Sequence, residues 1–248
     1  MDKRRFVNYN VFMDKGDKEF LGKKLLVFTA HPDDEQLAAG TMYENHKAGG
    51  KTFLVCVTAG EKGRSHLKYH ISDAGLKRLR KNELLAAAKV LHINKVIFLG
   101  LPDAGLRAKE KILYKKCYAI TKKLKPEYIL SFGPDGISGH WDHITVGKIA
   151  RKVAKQLKIP LAAFTFSNAM RTRLKKQFFL NRRKFGAYAG VPKHRKGDII
   201  IAIDAKVKRR AMSFHKSQFG DRGLFPELPK RVSDKFFLSE HFIRERTR

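Results

Sequence analysis

Two short segments hold most of the residues able to do chemistry. Ala30-His31-Pro32-Asp33-Asp34-Glu35 sets three acidic side chains in a row beside an imidazole, and Gly139-His140-Trp141-Asp142-His143 sets two imidazoles around a carboxylate. Adjacent carboxylates repel one another unless a cation stands among them, and a divalent metal supplies that charge. A catalytic zinc takes three protein ligands from His and carboxylate and keeps one position open for water. His31 and Asp34, three apart around a turn, can face one point, and His143 completes the set. Asp33 then stands beside the water as a base. His140, held as an imidazolium by a carboxylate such as Asp142, is the group to stabilise an oxyanion or protonate a leaving amine. Either segment alone reads equally well as a turn with an Asp capping a helix. The His/Asp/His set also suits a non-haem iron enzyme, and iron, cobalt or manganese fit the same ligands. The base discriminates, because a hydrolase needs Asp33 beside its water and an oxygenase does not.

These segments need elements to bring them together. Six short apolar runs rich in β-branched and aromatic residues read as strands buried on both faces: 24–29, 52–57, 95–99, 128–132, 161–166 and 198–203. Helical spacing marks 36–47, 76–91, 113–124, 143–157 and 205–218. Strands alternating with helices predict an α/β fold with a mostly parallel sheet flanked by helices. Ligands of such sheets bind beyond the carboxyl ends of the strands, where the loops after the first and fourth strands carry the two chemical segments. A single domain over 1–248 is expected, with 222–248, mixed in prolines, aromatics and charges, read as a lid or a homo-oligomer contact.

With those residues in view, the chain resembles the PIG-L/LmbE family of zinc-dependent de-N-acetylases. AHPDDE and GHWDH resemble that family's two main motifs. Thr58-Ala59-Gly60-Glu61-Lys62-Gly63 resembles its TxGExG loop, Arg80 with Glu83 its RxxE helix, and Phe98-Leu99 with Asp103 its third-strand ending. Lys208, Ala211, His215, Ser217 and Gln218 resemble its KxxA…HxSQ stretch, and Glu240 with Phe242 its terminal ExF. The resemblance implies a Rossmann-like fold, zinc on His31, Asp34 and His143, Asp33 as general base and His140 stabilising the intermediate. It also implies substrate binding by Arg80, and an N-acetylglucosamine-type sugar or glycoconjugate as substrate. Trp141 stands where the family usually has Pro, and an exposed ring there would stack on a sugar or cover the metal.

Whole-chain features bound the rest. The net charge of +30 concentrates anions, and an anionic, phosphorylated substrate suits it. A rival reading is a nucleic-acid-binding protein on a hydrolase-like fold, marked by salt-sensitive, sequence-blind binding. No RNP-like motif, zinc finger or helix-turn-helix accompanies the charge, so nucleic acid is not expected as the main partner. Neither GxGxxG nor the phosphate-loop order is present, which argues against a nucleotide cofactor. Cys56 and Cys117 form no CxxC pair, no apolar run is long enough to span a bilayer, and a cytoplasmic location is expected.

Overall fold

The apolar runs pair into one sheet because residues buried on both faces find cover only between two layers of helices. The computed structural model describes residues 18–168, 170–172, 197–220 and 236–245. Its elements are β1 (Lys24–Thr29), α1 (Ala39–Lys47), β2 (Lys51–Cys56), α2 (Asp73–Val90), β3 (Lys95–Phe98), α3 (Glu110–Leu124), β4 (Tyr128–Phe132), α4 (Trp141–Leu157), β5 (Leu161–Thr165), β6 (Ile199–Ala202), α5 (Ala205–Met212), α6 (Lys216–Phe219) and β7 (Ser239–Glu245). The strand order is β3-β2-β1-β4-β5-β7-β6. Strands β1 to β5 pair in parallel, and β7 runs antiparallel to both β5 and β6.

The chain lays β1, β2 and β3 outward in one direction, then returns to place β4 on the other side of β1. That reversal makes the β1–β4 junction the switch point where a parallel sheet opens a crevice at its carboxyl edge. The two chemical segments leave the sheet from these two strands. β4 and β5 are buried at all five of their positions, and the core is continuous with the rings of Phe20, Phe28, Tyr128, Phe132, Phe164 and Phe242. Each such side chain contributes about 1.5–3 kcal/mol on burial.

Helix α4 lies unusually close to β4. A Cβ built on Gly147 would stand 2.4 Å from the Phe132 carbonyl oxygen, so only glycine admits this approach. At its start, His140 caps the helix by accepting the Asp142 N–H at Nδ1, 3.2 Å away.

The structure differs from the sequence expectation in two elements. The helix expected over 205–218 breaks into α5 and α6, with His215 at the start of the second. β7, SEHFIRE, is too charged to read as a strand, yet it lies between β5 and β6. Its Glu240 tolerates burial because Lys208 Nζ donates to it at 2.7 Å and the Gly40 and Thr41 N–H groups donate at 3.0 and 2.7 Å. Of the segment 222–248, residues 236–245 are described and end in this strand, while 222–235 and 246–248 lie outside the described residues. Cys56 and Cys117 are free, buried thiols. Among the described residues no helix is long and apolar enough to cross a membrane.

Candidate metal and catalytic site

His31 leaves the end of β1, Asp34 opens a 3-10 turn before α1, and His143 sits in the first turn of α4. Their ligand atoms all lie within 4.8 Å of one another, making a candidate metal site. His31 Nδ1 is 3.2 Å from His143 Nε2 and 3.4 Å from Asp34 Oδ2, and His143 Nε2 is 3.2 Å from Asp34 Oδ1. Donors bound at about 2.0–2.2 Å around a tetrahedral ion are separated by roughly 3.4 Å, so this spacing fits one.

The surrounding hydrogen bonds sharpen the fit. His31 Nε2 faces Asp103 Oδ1 at 3.0 Å, which places the proton on Nε2 and leaves Nδ1 bare. His143 Nδ1 faces the Gly136 carbonyl at 3.1 Å and the Ser138 hydroxyl at 3.0 Å, which leaves its Nε2 bare. Two imidazole lone pairs and a carboxylate thus converge, an arrangement that calls for a cation. Outer partners of this kind orient ligands and fix their tautomers. A second grouping, His31 with His140 and Asp142, occupies a similar span. There the Asp142 oxygens already accept from the Ala104 and Leu106 N–H groups at 2.8 and 3.2 Å, and the first set is the better donor cluster.

The same carboxylates favour positive charge at this point, whether a metal ion between the bare nitrogens or a second proton on His31. Burial opposes the imidazolium, but Asp103, Asp142 and Asp34 raise its pKa well above the ordinary value. Asp34 resists ionisation through burial, yet His143 and His31 hold it well below the usual carboxylate range. Burial acts the same way on Asp103, where His31 and the Lys62 and Ala104 N–H groups win and bring it to about 2.

Asp33 stands next to the cluster in a left-handed backbone conformation, φ 115° and ψ −22°. Burial pushes its carboxyl up to about 6, with Arg80 opposing and Asp34 adding to the rise. Arg80, expected to meet substrate, is only 3% exposed. Its guanidinium donates to the Pro32 carbonyl at 2.6 Å, the Gly60 carbonyl at 2.6 Å and Asp33 Oδ2 at 3.0 Å. The glycines of the β2 loop make room for it, since a Cβ at Gly60 or Gly63 would fall 2.1 or 2.5 Å from Arg80 Nη1.

His140 differs from the expected imidazolium. Burial and the neighbouring His143 and His31 charges press it down to about 4, and Asp142 only partly opposes them. Because Nδ1 accepts the Asp142 N–H, the proton of the neutral ring belongs on Nε2. Trp141 is 37% exposed at the rim, with the Arg107 guanidinium 4.3 Å above its ring. The sequence gives no catalytic or ligand role to Asp103, Ser138, Glu35 or His215. Asp103 and His215 carried a signal only as motif positions, and Ser138 and Glu35 lay inside segments read for their neighbours.

Known proteins resemble the chain in sequence and in fold. A Streptomyces avermitilis protein named 1D-myo-inositol 2-acetamido-2-deoxy-alpha-D-glucopyranoside deacetylase is 30% identical over 162 residues, covering 56% of this chain and 55% of the relative. The chain therefore spans about half the length of that relative. A Bacillus subtilis protein named probable N-acetyl-alpha-D-glucosaminyl L-malate deacetylase 2 is 29% identical over 215 residues, 85% of this chain and 89% of the relative. The structure of an N,N'-diacetylchitobiose deacetylase from Pyrococcus horikoshii superposes with a TM-score of 0.68 over 95% of this chain and 88% of that one, at 21% identity, a likeness of fold. Residues 26–154, which hold both chemical segments and the elements between them, match the family described as PIG-L: GlcNAc-PI de-N-acetylase, and the chain belongs to that family.

Proposed function

We propose that the protein is a metal-dependent hydrolase that removes the N-acetyl group from an N-acetylglucosamine-type sugar or glycoconjugate, with zinc as the metal. The observation that carries this reading is the convergence of two bare imidazole nitrogens and a carboxylate beside a half-buried Asp33. The names borne by the Streptomyces and Bacillus relatives support the substrate class. His31, Asp34 and His143 would hold the ion. An ion held there would supply Lewis acidity, lowering the pKa of water towards 7 and polarising the acyl carbonyl.

The chain's own residues supply the rest. Asp33 accepts a proton from the attacking water as the carbonyl carbon becomes tetrahedral. His140, neutral with its proton on Nε2, donates a hydrogen bond to the carbonyl oxygen as charge grows on it. Asp33 then returns its proton to the amide nitrogen, the C–N bond breaks, and acetate and the free amine leave. Asp142 holds the Asp103–Leu106 loop through two backbone N–H groups, and Asp103 holds His31. Arg80 secures Asp33 and the Pro32 carbonyl from behind instead of reaching the sugar. Trp141 and Arg107 form the rim that meets the sugar face.

The test is acetate release from N-acetylglucosamine, diacetylchitobiose and a glucosaminyl-inositol conjugate. Metal-stripped, zinc-restored and zinc-restored Asp33→Asn proteins are compared. Release should require zinc and fall by about 10²–10⁴-fold in the variant, the usual contribution of a general base. Undiminished release from metal-stripped protein would overturn the reading.

A further inference from the structure

Asp33 adopts a strained backbone conformation that a non-glycine residue rarely takes. Something must hold it there. Its N–H donates to Glu35 Oε2 at 2.9 Å, and Glu35 Oε1 in turn accepts from His215 Nε2 at 2.5 Å and from Gln36 Nε2 at 2.7 Å. Glu35 and His215 are both 0% exposed and lie 180 residues apart in the chain. His215 is itself anchored next to α6, where the Ser217 N–H and hydroxyl donate to Glu83 at 2.8 and 2.6 Å. Glu83 and Arg80 are one helical turn apart on α2. One end of this chain of contacts grips the Asp33 carboxylate through Arg80, and the other grips the Asp33 N–H through Glu83, Ser217, His215 and Glu35.

We propose that Glu35 and His215 are positioning residues for Asp33: the buried pair presents one carboxylate oxygen to the Asp33 N–H and so holds the left-handed turn that aims the base. The proposal rests on the reading of Asp33 as the base. Neither residue is placed to touch substrate, and neither belongs to the candidate metal cluster. A full charge on Glu35 is not required, only an acceptor at Oε2. Glutamine at 35 can offer its oxygen to Asp33 and its amide nitrogen to a turned-over Gln36 and to His215 Nε2, which accepts once the ring proton sits on Nδ1; Gln36 Oε1 and His215 Nδ1 both lack a partner among the described residues. Glutamine at 215 can carry a donor near the place of Nε2, whereas asparagine is too short.

The experiment uses the zinc-restored 248-residue chain carrying His215→Asn, His215→Gln or Glu35→Gln, each alone and combined with Asp33→Asn. His215→Asn should lower kcat by about 10–100-fold, the usual effect of losing an outer partner, with KM within about twofold and zinc stoichiometry unchanged. His215→Gln and Glu35→Gln should each recover most of that loss. In the Asp33→Asn background, His215→Asn should cost nothing further, because a misaimed base and a missing base are the same defect. Additive losses in the double variant, or loss of zinc from His215→Asn, would overturn the proposal. So would a Glu35→Gln protein as impaired as His215→Asn. A crystal structure of His215→Asn gives a readout independent of catalysis, since the Asp33 φ should leave the positive region. If wild-type protein releases no acetate but that backbone change is seen, the positioning stands and the deacetylase reading falls. An unchanged Asp33 φ overturns the positioning whatever the activity.

Discussion

At the scale of single residues, the site consists of a few donors and the partners that aim them. Asp103 illustrates the second kind. It takes the Nε2 proton of His31 at 3.0 Å and thereby turns Nδ1 toward Asp34 and His143. Replacing it with alanine should weaken zinc affinity by about 10–100-fold, as loss of an outer-sphere carboxylate does. Titration against a fluorescent chelator measures this, and Asp33→Asn, which removes no ligand, is expected to leave the affinity near wild type. His140 is legible in the sequence as a polar group beside a ligand. Its role as a helix cap, and so its tautomer, depends on the fold of the loop before α4.

At the scale of elements, the closeness of α4 to β4 sets where His143 points. Gly147→Ala forces a methyl against the Phe132 carbonyl oxygen 2.4 Å away and should destabilise the fold by about 1–3 kcal/mol, read as a lowered Tm. A displaced α4 moves His143 with it, so zinc affinity should fall in the same variant. Strand β7 offers a second test. His241 on this strand is pressed down to about 4 by burial, helped by the Lys208 and Arg171 charges. Its hydroxyl neighbour is Ser239, 3.1 Å away. A histidine whose folded pKa lies below its unfolded value of about 6.5 takes up protons on unfolding. The stability is therefore full above about pH 6.5 and drains away as pH falls toward 4, by up to about 3 kcal/mol. His241→Gln should flatten that loss, seen as a smaller drop in Tm between pH 7.5 and 5 than the wild type shows.

At the scale of the whole molecule, the charge of +30 should act through its field more than through any one contact. For a phosphorylated N-acetylglucosamine derivative, raising ionic strength from about 0.05 to 0.3 M should raise KM several-fold, because screening shortens the reach of that field. The uncharged sugar should show no such dependence. Equal salt sensitivity for both would assign the charge to something other than substrate capture. The same comparison bears on the nucleic-acid reading, since an added polyanion should compete with the charged substrate alone.

Much of this protein is determined by local pattern. Apolar runs of five or six residues broken by helical spacing specify a mostly parallel α/β sheet, since both sheet faces must be covered, and six of its strands fall within a residue of those runs. Clustered His and Asp at two strand ends mark a candidate cation site, since adjacent carboxylates repel one another unless positive charge stands among them. What tertiary structure alone decided is everything that depends on partners distant in the chain. β7 is a strand only because Lys208 neutralises Glu240 and because β5 and β6 offer two edges to pair with. Arg80 reads as a solvated helix residue until the glycines of the β2 loop let it reach the Pro32 carbonyl. His215 reads as one more helical histidine until the break between α5 and α6 brings it to Glu35, 180 positions away. Burial makes such contacts strong by removing the water that would compete for them, and burial at these positions is a property of the assembled fold.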